Sequence, residues 1–232
     1  MRIVAGRWAG RDLTSPADAR VRPTAEGVRG ALLDLLAPVL PRGRVLDLFA
    51  GTGALGLEAL SRGAASADFV ETRPASLHAL RANVAALHAR ERTRIFKRDA
   101  IPFAAELEAD RYNLAFADPP YGSRMADRIV ESWLTRPLAR VLVVEHAAEQ
   151  GLPGTGRGIG RPAAHASGPE PRDVRVSVHR FGETTVTIFR AGGEVTGGAA
   201  PPEGLRARGP GRAARRRPRP AGRRGRGPAM DG

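Results

Sequence analysis

Residues 118–121 read Asp-Pro-Pro-Tyr, directly after the apolar run 113–117. Two consecutive prolines carry no N–H donors and are stiff, so they hold a carboxylate, two carbonyls and an aromatic ring at the C-terminal edge of a strand, where open α/β sheets bind their ligands. A group of that kind suits chemistry on a planar exocyclic amine. Such a nitrogen is a poor nucleophile because its lone pair is delocalised into the ring. If Asp118 and the Pro119 carbonyl each accept one N–H, the nitrogen can pyramidalise and aim its lone pair at a methyl sulfonium, with Pro120 stiffening the turn and Tyr121 stacking on the base. The competing reading is a turn with a surface Asp and a packed Tyr, and it explains fewer of the four residue types.

A second constellation lies upstream. Val45-Leu46-Asp47-Leu48-Phe49 runs straight into Ala50-Gly51-Thr52-Gly53-Ala54-Leu55-Gly56, a strand, a glycine turn and a helix start. The glycines allow close backbone approach, and the helix N-terminus presents free N–H groups. Gly51, Gly53 and Gly56 satisfy G-x-G-x-x-G, and Glu71 follows twenty residues after Gly51, so a dinucleotide site passes every formal test. A tight turn with no ligand is the plain alternative. Charge separates the ligands: Asp47 would repel a pyrophosphate, whereas the ammonium and sulfonium of S-adenosylmethionine are favoured by an acid there. Glu71, ending the second strand, has acceptors for both ribose hydroxyls. Asp99, in Lys97-Arg98-Asp99-Ala100, either accepts from an adenine amine or caps a helix starting near Ile101. The cofactor candidates are therefore Asp47, Ala50, Gly51, Gly53, Glu71, Asp99 and Ala100.

These residues need a scaffold, and the pattern supplies one. Short apolar runs alternate with longer amphipathic ones, the rhythm of a largely parallel sheet with helices on both faces, an α/β class. Seven strands are expected, at 44–49, 67–71, 94–97, 113–117, 141–145, 175–180 and 185–190. The last two are close enough to form a hairpin, which predicts one antiparallel strand near the sheet edge. Thr24 is placed to cap a helix that turns Val28, Ala31, Leu32, Leu35 and Leu36 to one face and stops before Pro38. A helix over 54–62 ends at Gly63, and Pro74 opens one carrying Leu77, Leu80, Val84 and Leu87. Residues 1–13 read as a small basic hairpin. Trp8 is expected as its anchor or as a base-stacking ring, and Trp133 as core. Glu145 ends the fifth strand near the cleft, or pairs with a neighbouring arginine.

The chain has 232 residues, 37 basic against 24 acidic, with Lys97 the single lysine. Clustered guanidiniums attract phosphate, so nucleic acid leads among partners, although arginine together with so much Ala, Gly and Pro also fits a GC-rich genome. Half of the surplus of 13 lies in residues 191–232, where 35 of 42 positions are Gly, Pro, Ala or Arg; no core can be built from that. Residues 151–172, with 10 Gly or Pro, read as a flexible loop inside a domain spanning 1–190, whose first 23 residues form the basic N-terminal segment. No cysteine is present, which excludes disulfides, thiolate zinc sites and a Cys nucleophile, and the five histidines lack metal-ligand spacing. Neither a signal peptide nor a membrane span is visible, so a soluble cytoplasmic protein is expected.

The paired motifs resemble those of class I S-adenosylmethionine-dependent methyltransferases acting on base amines. More narrowly, residues 2–11, Arg22-Pro23-Thr24, 46–64, 118–122, 143–146 and Phe181-Gly182-Glu183-Thr184 are similar in order and spacing to the bacterial 16S ribosomal RNA (guanine-N2)-methyltransferase family. The resemblance covers most of residues 1–190. It implies a seven-stranded Rossmann-like fold and donor contacts at Asp47, Gly51, Gly53, Glu71 and Asp99. It further implies target-amine contacts at Asp118, Pro119 and Tyr121, with Arg22-Pro23-Thr24 near the donor or the RNA. With the basic N-terminal segment, Arg2, Arg7, Arg11 and Arg22 become candidate RNA contacts. The expected partner is 16S ribosomal RNA or a partly assembled small subunit, met by a monomer without a metal. The long 151–172 loop and the arginine tail depart from that family. Three rivals remain: a DNA adenine-N6 methyltransferase, disfavoured because about 190 folded residues leave little for a DNA-reading domain; a basic RNA-binding protein on an inactive scaffold; and a nicotinamide oxidoreductase.

Overall fold

A computed structural model describes residues 1–16, 26–155, 173–182 and 184–192. The expectations for Arg22, for the Thr24 cap, for Glu183, for most of the 151–172 loop and for the tail beyond residue 192 lie outside them.

Seven strands form one sheet: β1 (Arg44–Leu48), β2 (Ser66–Val70), β3 (Thr93–Phe96), β4 (Tyr112–Ala117), β5 (Ala139–Ala147), β6 (Val174–Phe181) and β7 (Thr184–Ala191). Their spatial order is β3-β2-β1-β4-β5-β7-β6. Neighbours from β3 through β5 are parallel, and β7 runs antiparallel between β5 and β6. Every expected strand is present, with its ends displaced by no more than two residues. From β1 the chain moves first toward β3 and then back across to β4, so the order reverses between β1 and β4, and a crevice opens there beyond the strand C-termini.

The central strands are apolar on both sides because helices cover both faces. On one face Val45, Phe69, Leu114, Phe116, Val141 and Val143 pack with α2 (Ala54–Ser61) and α3 (Pro74–Ala86). On the other, Leu46, Leu48, Ala115, Leu142 and Val144 pack with α4 (Ala100–Glu106) and α5 (Met125–Thr135). Trp133 of α5 is fully buried, as expected, and its indole N–H donates to the Ala139 carbonyl at 2.7 Å. Gly63, at φ +107°, terminates α2, and Pro74 occupies the first turn of α3.

One helix sits differently from its periodicity. In α1 (Glu26–Leu35) the buried positions are Arg29, Gly30, Leu32 and Leu33, followed by Leu36, while Val28, Ala31 and Leu35 are only half-buried. The cause is a buried charge: the Arg29 guanidinium lies 3.5 Å from the Glu58 carboxylate of α2, both side chains wholly enclosed, which rotates Arg29 inward. Gly30 then leaves room for Val4, whose methyl would stand 3.2 Å from an added Cβ.

The N-terminal residues make a compact loop rather than a regular hairpin. A single antiparallel bridge joins Arg2 to Asp12, the Leu13 N–H donates to the Met1 carbonyl, and Gly6–Trp8 is a short 3-10 turn. Polar side chains fasten this loop to the helices. Glu58 accepts the N–H groups of Val4 and Ala5 at 2.7 and 2.8 Å, and Ser61 Oγ accepts that of Trp8. Asn83 of α3 accepts the Thr14 N–H at 2.7 Å and donates to the carbonyls of Thr14 and Thr52, the latter in the glycine turn. Gly6, at φ +83°, is required where it is: a Cβ would stand 2.1 Å from the Ser61 carbonyl oxygen. Trp8 is buried, so it anchors the loop and does not offer its ring for stacking.

Candidate active site

The crevice at the reversal of strand order holds a cavity of about 610 Å³ whose wall includes Asp47, Gly51, Glu71, Asp99, Asp118 and Tyr121. Strand period and register explain the gathering. Asp47 continues the face begun by Val45, Glu71 that of Phe69, Asp118 that of Leu114 and Phe116, and Glu145 that of Val141 and Val143. Asp47 pairs in register with both Phe69 and Phe116, and Phe116 with Val143. Glu71, Asp118 and Glu145 therefore stand at one height, two residues beyond Asp47. With Asp99, five carboxylates surround one cavity in a chain whose formal charge is +13.

Asp47 is buried, and its Oδ2 accepts the N–H of Gly56 at 2.9 Å, bracing the turn from below. Burial, reinforced by the Glu71 carboxylate and opposed by the Gly56 N–H, pushes its pKa up to about 8. Glu71 is tied more tightly: Oε2 accepts from Gly51 at 2.8 Å, and Oε1 accepts from Thr72 and Arg73 at 2.8 Å each. Those bonds occupy three of about four acceptor positions on a carboxylate.

The three glycines divide their work. A Cβ on Gly53 would meet Leu80 at 2.3 Å and one on Gly56 would meet the Phe69 ring at 2.4 Å, so both allow the helix to press onto its neighbours. Gly51, at φ +55°, has nothing within 4 Å of that position and faces open space. It is the glycine that leaves room for a ligand.

Asp118 follows β4 directly and is half-buried. Burial and then the Glu145 and Asp47 carboxylates raise its proton affinity well above that of an ordinary aspartate, with Arg73 opposing them. The Tyr121 ring is 46% exposed, enough to receive a flat ligand, and its hydroxyl donates to Glu145 Oε1 at 3.0 Å. Burial and the Glu145 carboxylate push the phenol up to about 12, so it remains a donor at neutral pH.

Asp99 shows the helix-capping role: its carboxylate accepts the Ile101 N–H at 2.9 Å at the start of α4, while the residue also borders the cavity with Ala100. Arg2, Arg7 and Arg11 are all exposed, but two are engaged. Arg2 pairs with Glu26 at 3.1 Å and Arg11 donates to the Ala86 carbonyl. Arg7 lies over the Trp8 ring at 4.9 Å, with Arg92 at 5.3 Å from the same ring. Among the described residues no group of three or more His, Cys, Asp and Glu side chains could hold a metal ion, and no helix is long and apolar enough to cross a membrane.

Sequence reasoning missed Arg73, which tempers Asp118, and it passed over Asn83 and Arg29. Asn83 and Arg29 carry a signal, since each is a polar residue set within an apolar helical stripe. Arg73 carries none, because its effect on Asp118 depends on two strand ends meeting at one cavity.

A mostly parallel sheet with an antiparallel β7 slotted beside β5, and a glycine turn facing an acidic crevice at the reversal of strand order, defines the class I methyltransferase fold. The chain belongs to the family described as Conserved hypothetical protein 95, whose model matches residues 1–164. Ribosomal RNA small subunit methyltransferase D of Escherichia coli K12 is 38% identical over 158 residues, covering 66% of this chain and 78% of the relative. The solved Escherichia coli yhhF structure superposes with a TM-score of 0.66 at 29% identity, covering 84% of this chain and 99% of that one. An RNA methyltransferase from Salinibacter ruber, solved with S-adenosyl-L-homocysteine, shares the fold at a TM-score of 0.52 and 16% identity, over 79% of this chain and 99% of that one.

Proposed function

We propose that the protein transfers a methyl group from S-adenosylmethionine to the N2 amine of a guanine in 16S ribosomal RNA, acting in the cytoplasm. The observation that carries the reading is the meeting of Asp118-Pro119-Pro120-Tyr121 and the glycine turn across one cavity ringed by carboxylates. The relatives named for small-subunit ribosomal RNA support the substrate class.

The residues fit the donor. Its adenosyl and aminoacid parts match a cavity of about 610 Å³, and its two positive charges match Asp47 and the neighbouring acids. When bound, S-adenosylmethionine supplies an electrophilic methyl on a positively charged sulfur. Asp47, protonated up to about pH 8 on its own, ionises beside that cation. Glu71 offers its remaining acceptor capacity to the ribose hydroxyls, and Asp99 and Ala100 border the adenine side. Asp118 and the Pro119 carbonyl accept the two amine N–H groups, Pro120 fixes the turn and Tyr121 stacks on the base. As the nitrogen gains the methyl it must lose a proton, and Asp118, with its raised proton affinity, is placed to take it. Arg2, Arg7 and Arg11, exposed on the N-terminal segment, are the proposed RNA contacts outside the cavity wall, and Arg22 belongs with them by sequence.

The test incubates the protein with labelled donor and either naked small-subunit RNA or isolated subunits, then identifies the modified nucleoside by mass spectrometry. N2-methylguanosine at a single position is expected. N6-methyladenosine would transfer the assignment to an adenine enzyme, and no incorporation would remove it.

A further inference from the structure

We infer that Glu145 is the residue that selects guanine, by accepting the N1–H of the target base while Asp118 and the Pro119 carbonyl hold its N2 amine. The inference rests on the methyltransfer reading above and extends it to base choice.

The placement comes from the sheet. Ala117 of β4 pairs with Val144 of β5, so one residue further on Asp118 and Glu145 stand side by side at neighbouring strand ends. Both border the same cavity, and Glu145 is 9% exposed. The Tyr121 hydroxyl holds Glu145 Oε1 at 3.0 Å, which orients the carboxylate and links it to the ring that would stack on the base. Two carboxylates set side by side on one cavity wall repel each other, and an incoming N–H donor relieves both.

Guanine is the base that offers such donors. Its Watson–Crick edge presents N1–H next to the N2 amine, three N–H groups in a row, to be met by Glu145, Asp118 and the Pro119 carbonyl. Adenine and cytosine also carry an exocyclic amine, but the adjacent ring nitrogen holds a lone pair. Seating either amine at Asp118 would press that lone pair against the Glu145 carboxylate, a repulsive contact where guanine makes a hydrogen bond. The four-residue motif fixes which kind of group reacts, and Glu145 fixes which base carries it.

The experiment uses the full-length protein and a small-subunit RNA carrying either guanine or 2-aminopurine at the mapped position. 2-Aminopurine keeps the C2 amine but has a lone pair at N1. Wild type should show kcat/KM lower by about 100-fold or more on the 2-aminopurine RNA. In Glu145→Gln, whose amide can donate to that lone pair, the two RNAs should come within about tenfold of each other. Glu145→Asp, which keeps the charge, should retain the guanine preference. Calorimetric donor binding verifies that each variant is folded, and if Glu145→Gln turnover is undetectable the affinities for the two RNAs are compared instead. Equal use of both RNAs by wild type, or an unchanged preference in Glu145→Gln, overturns the inference while leaving guanine methylation standing. If wild type makes no N2-methylguanosine, the parent reading falls and this inference falls with it.

Discussion

The Gly51 amide donates to Glu71 Oε2 at 2.8 Å, joining the turn after β1 to the end of β2 in the cavity wall. The contact gives Glu71 two duties, because the carboxylate proposed to receive the ribose also sets the shape of the loop beside it. Glu71→Ala should therefore weaken donor binding by about 1–3 kcal/mol, the usual loss for a charged acceptor and its hydrogen bonds. Titration calorimetry reads this directly, and unchanged affinity would remove Glu71 from the donor site.

Asp118→Ala should lower the rate of methyl transfer by about 100- to 1,000-fold, the typical effect of deleting one preorganised hydrogen-bonding group. Donor affinity should change little, because the proposed partner of Asp118 is the target amine. Single-turnover assays with saturating donor separate the two quantities. Near wild-type turnover would show that the amine is held elsewhere.

Asp47 predicts a pH dependence of stability. Burial, with the Glu71 carboxylate adding to it, lifts its folded pKa from 3.8 to about 8. Below 3.8 the proton is bound in folded and unfolded chains alike, and between these values only the folded chain holds it. Stability from this residue is thus fully present at the acid end and is lost as pH rises through about 8. Asp47→Asn, which keeps an acceptor for the Gly56 N–H, should fall off less between pH 5 and 9 than wild type in urea denaturation at matched salt. Parallel pH profiles for the two proteins would contradict the assignment.

The chain announces its sheet clearly, because central strands such as Val45-Leu46 and Val141-Leu142-Val143-Val144 are apolar on both faces and admit no other role. That the candidate acids share one cavity was legible for the same reason: Asp47, Glu71 and Asp118 lie in or directly continue buried runs. Glu145 continues such a run too, yet its bond to Tyr121 depends on a turn folding back over β5, which spacing does not encode. The inward face of α1 was illegible because Arg29 defies hydrophobic periodicity, and only the distant Glu58 explains its burial. Asp99 could be read two ways from sequence, and the geometry shows the cap.

Glu58→Ala should be among the most destabilising single changes in the protein. Its carboxylate serves Val4, Ala5, Arg29 and Arg62, and its removal strips a wholly buried guanidinium of a principal counter-charge. Breaking a buried pair in this way typically costs about 3–5 kcal/mol. Denaturant unfolding of the variant checks it, and a destabilisation below about 1 kcal/mol would place the weight of the N-terminal attachment on other residues.

Ten arginines lie between residues 206 and 226 with no aromatic residue among them, a composition suited to pairing with phosphates and not to base stacking. Deleting residues 193–232 should leave the choice of nucleotide intact. For every phosphate that the shortened protein no longer neutralises, the slope of log affinity against log salt on single-stranded RNA should become shallower by about 0.7. Affinities at several salt concentrations decide it: superimposable slopes would deny the segment a binding role, and a shifted methylation site would give it one in specificity.

The clips on residues 1–16 also order events in time. Glu58, Ser61 and Asn83 lie 54, 53 and 69 positions downstream of the Val4, Trp8 and Thr14 amides they receive. On a growing polypeptide residues 1–16 have no seat until α2 and α3, made after them, have emerged and docked on the sheet. Such long-range closure comes late in assembly. Because Asn83 grips Thr14 and Thr52 together, that late closure also sets the glycine turn, so the cavity beside it takes its final form only when residues 1–16 are seated.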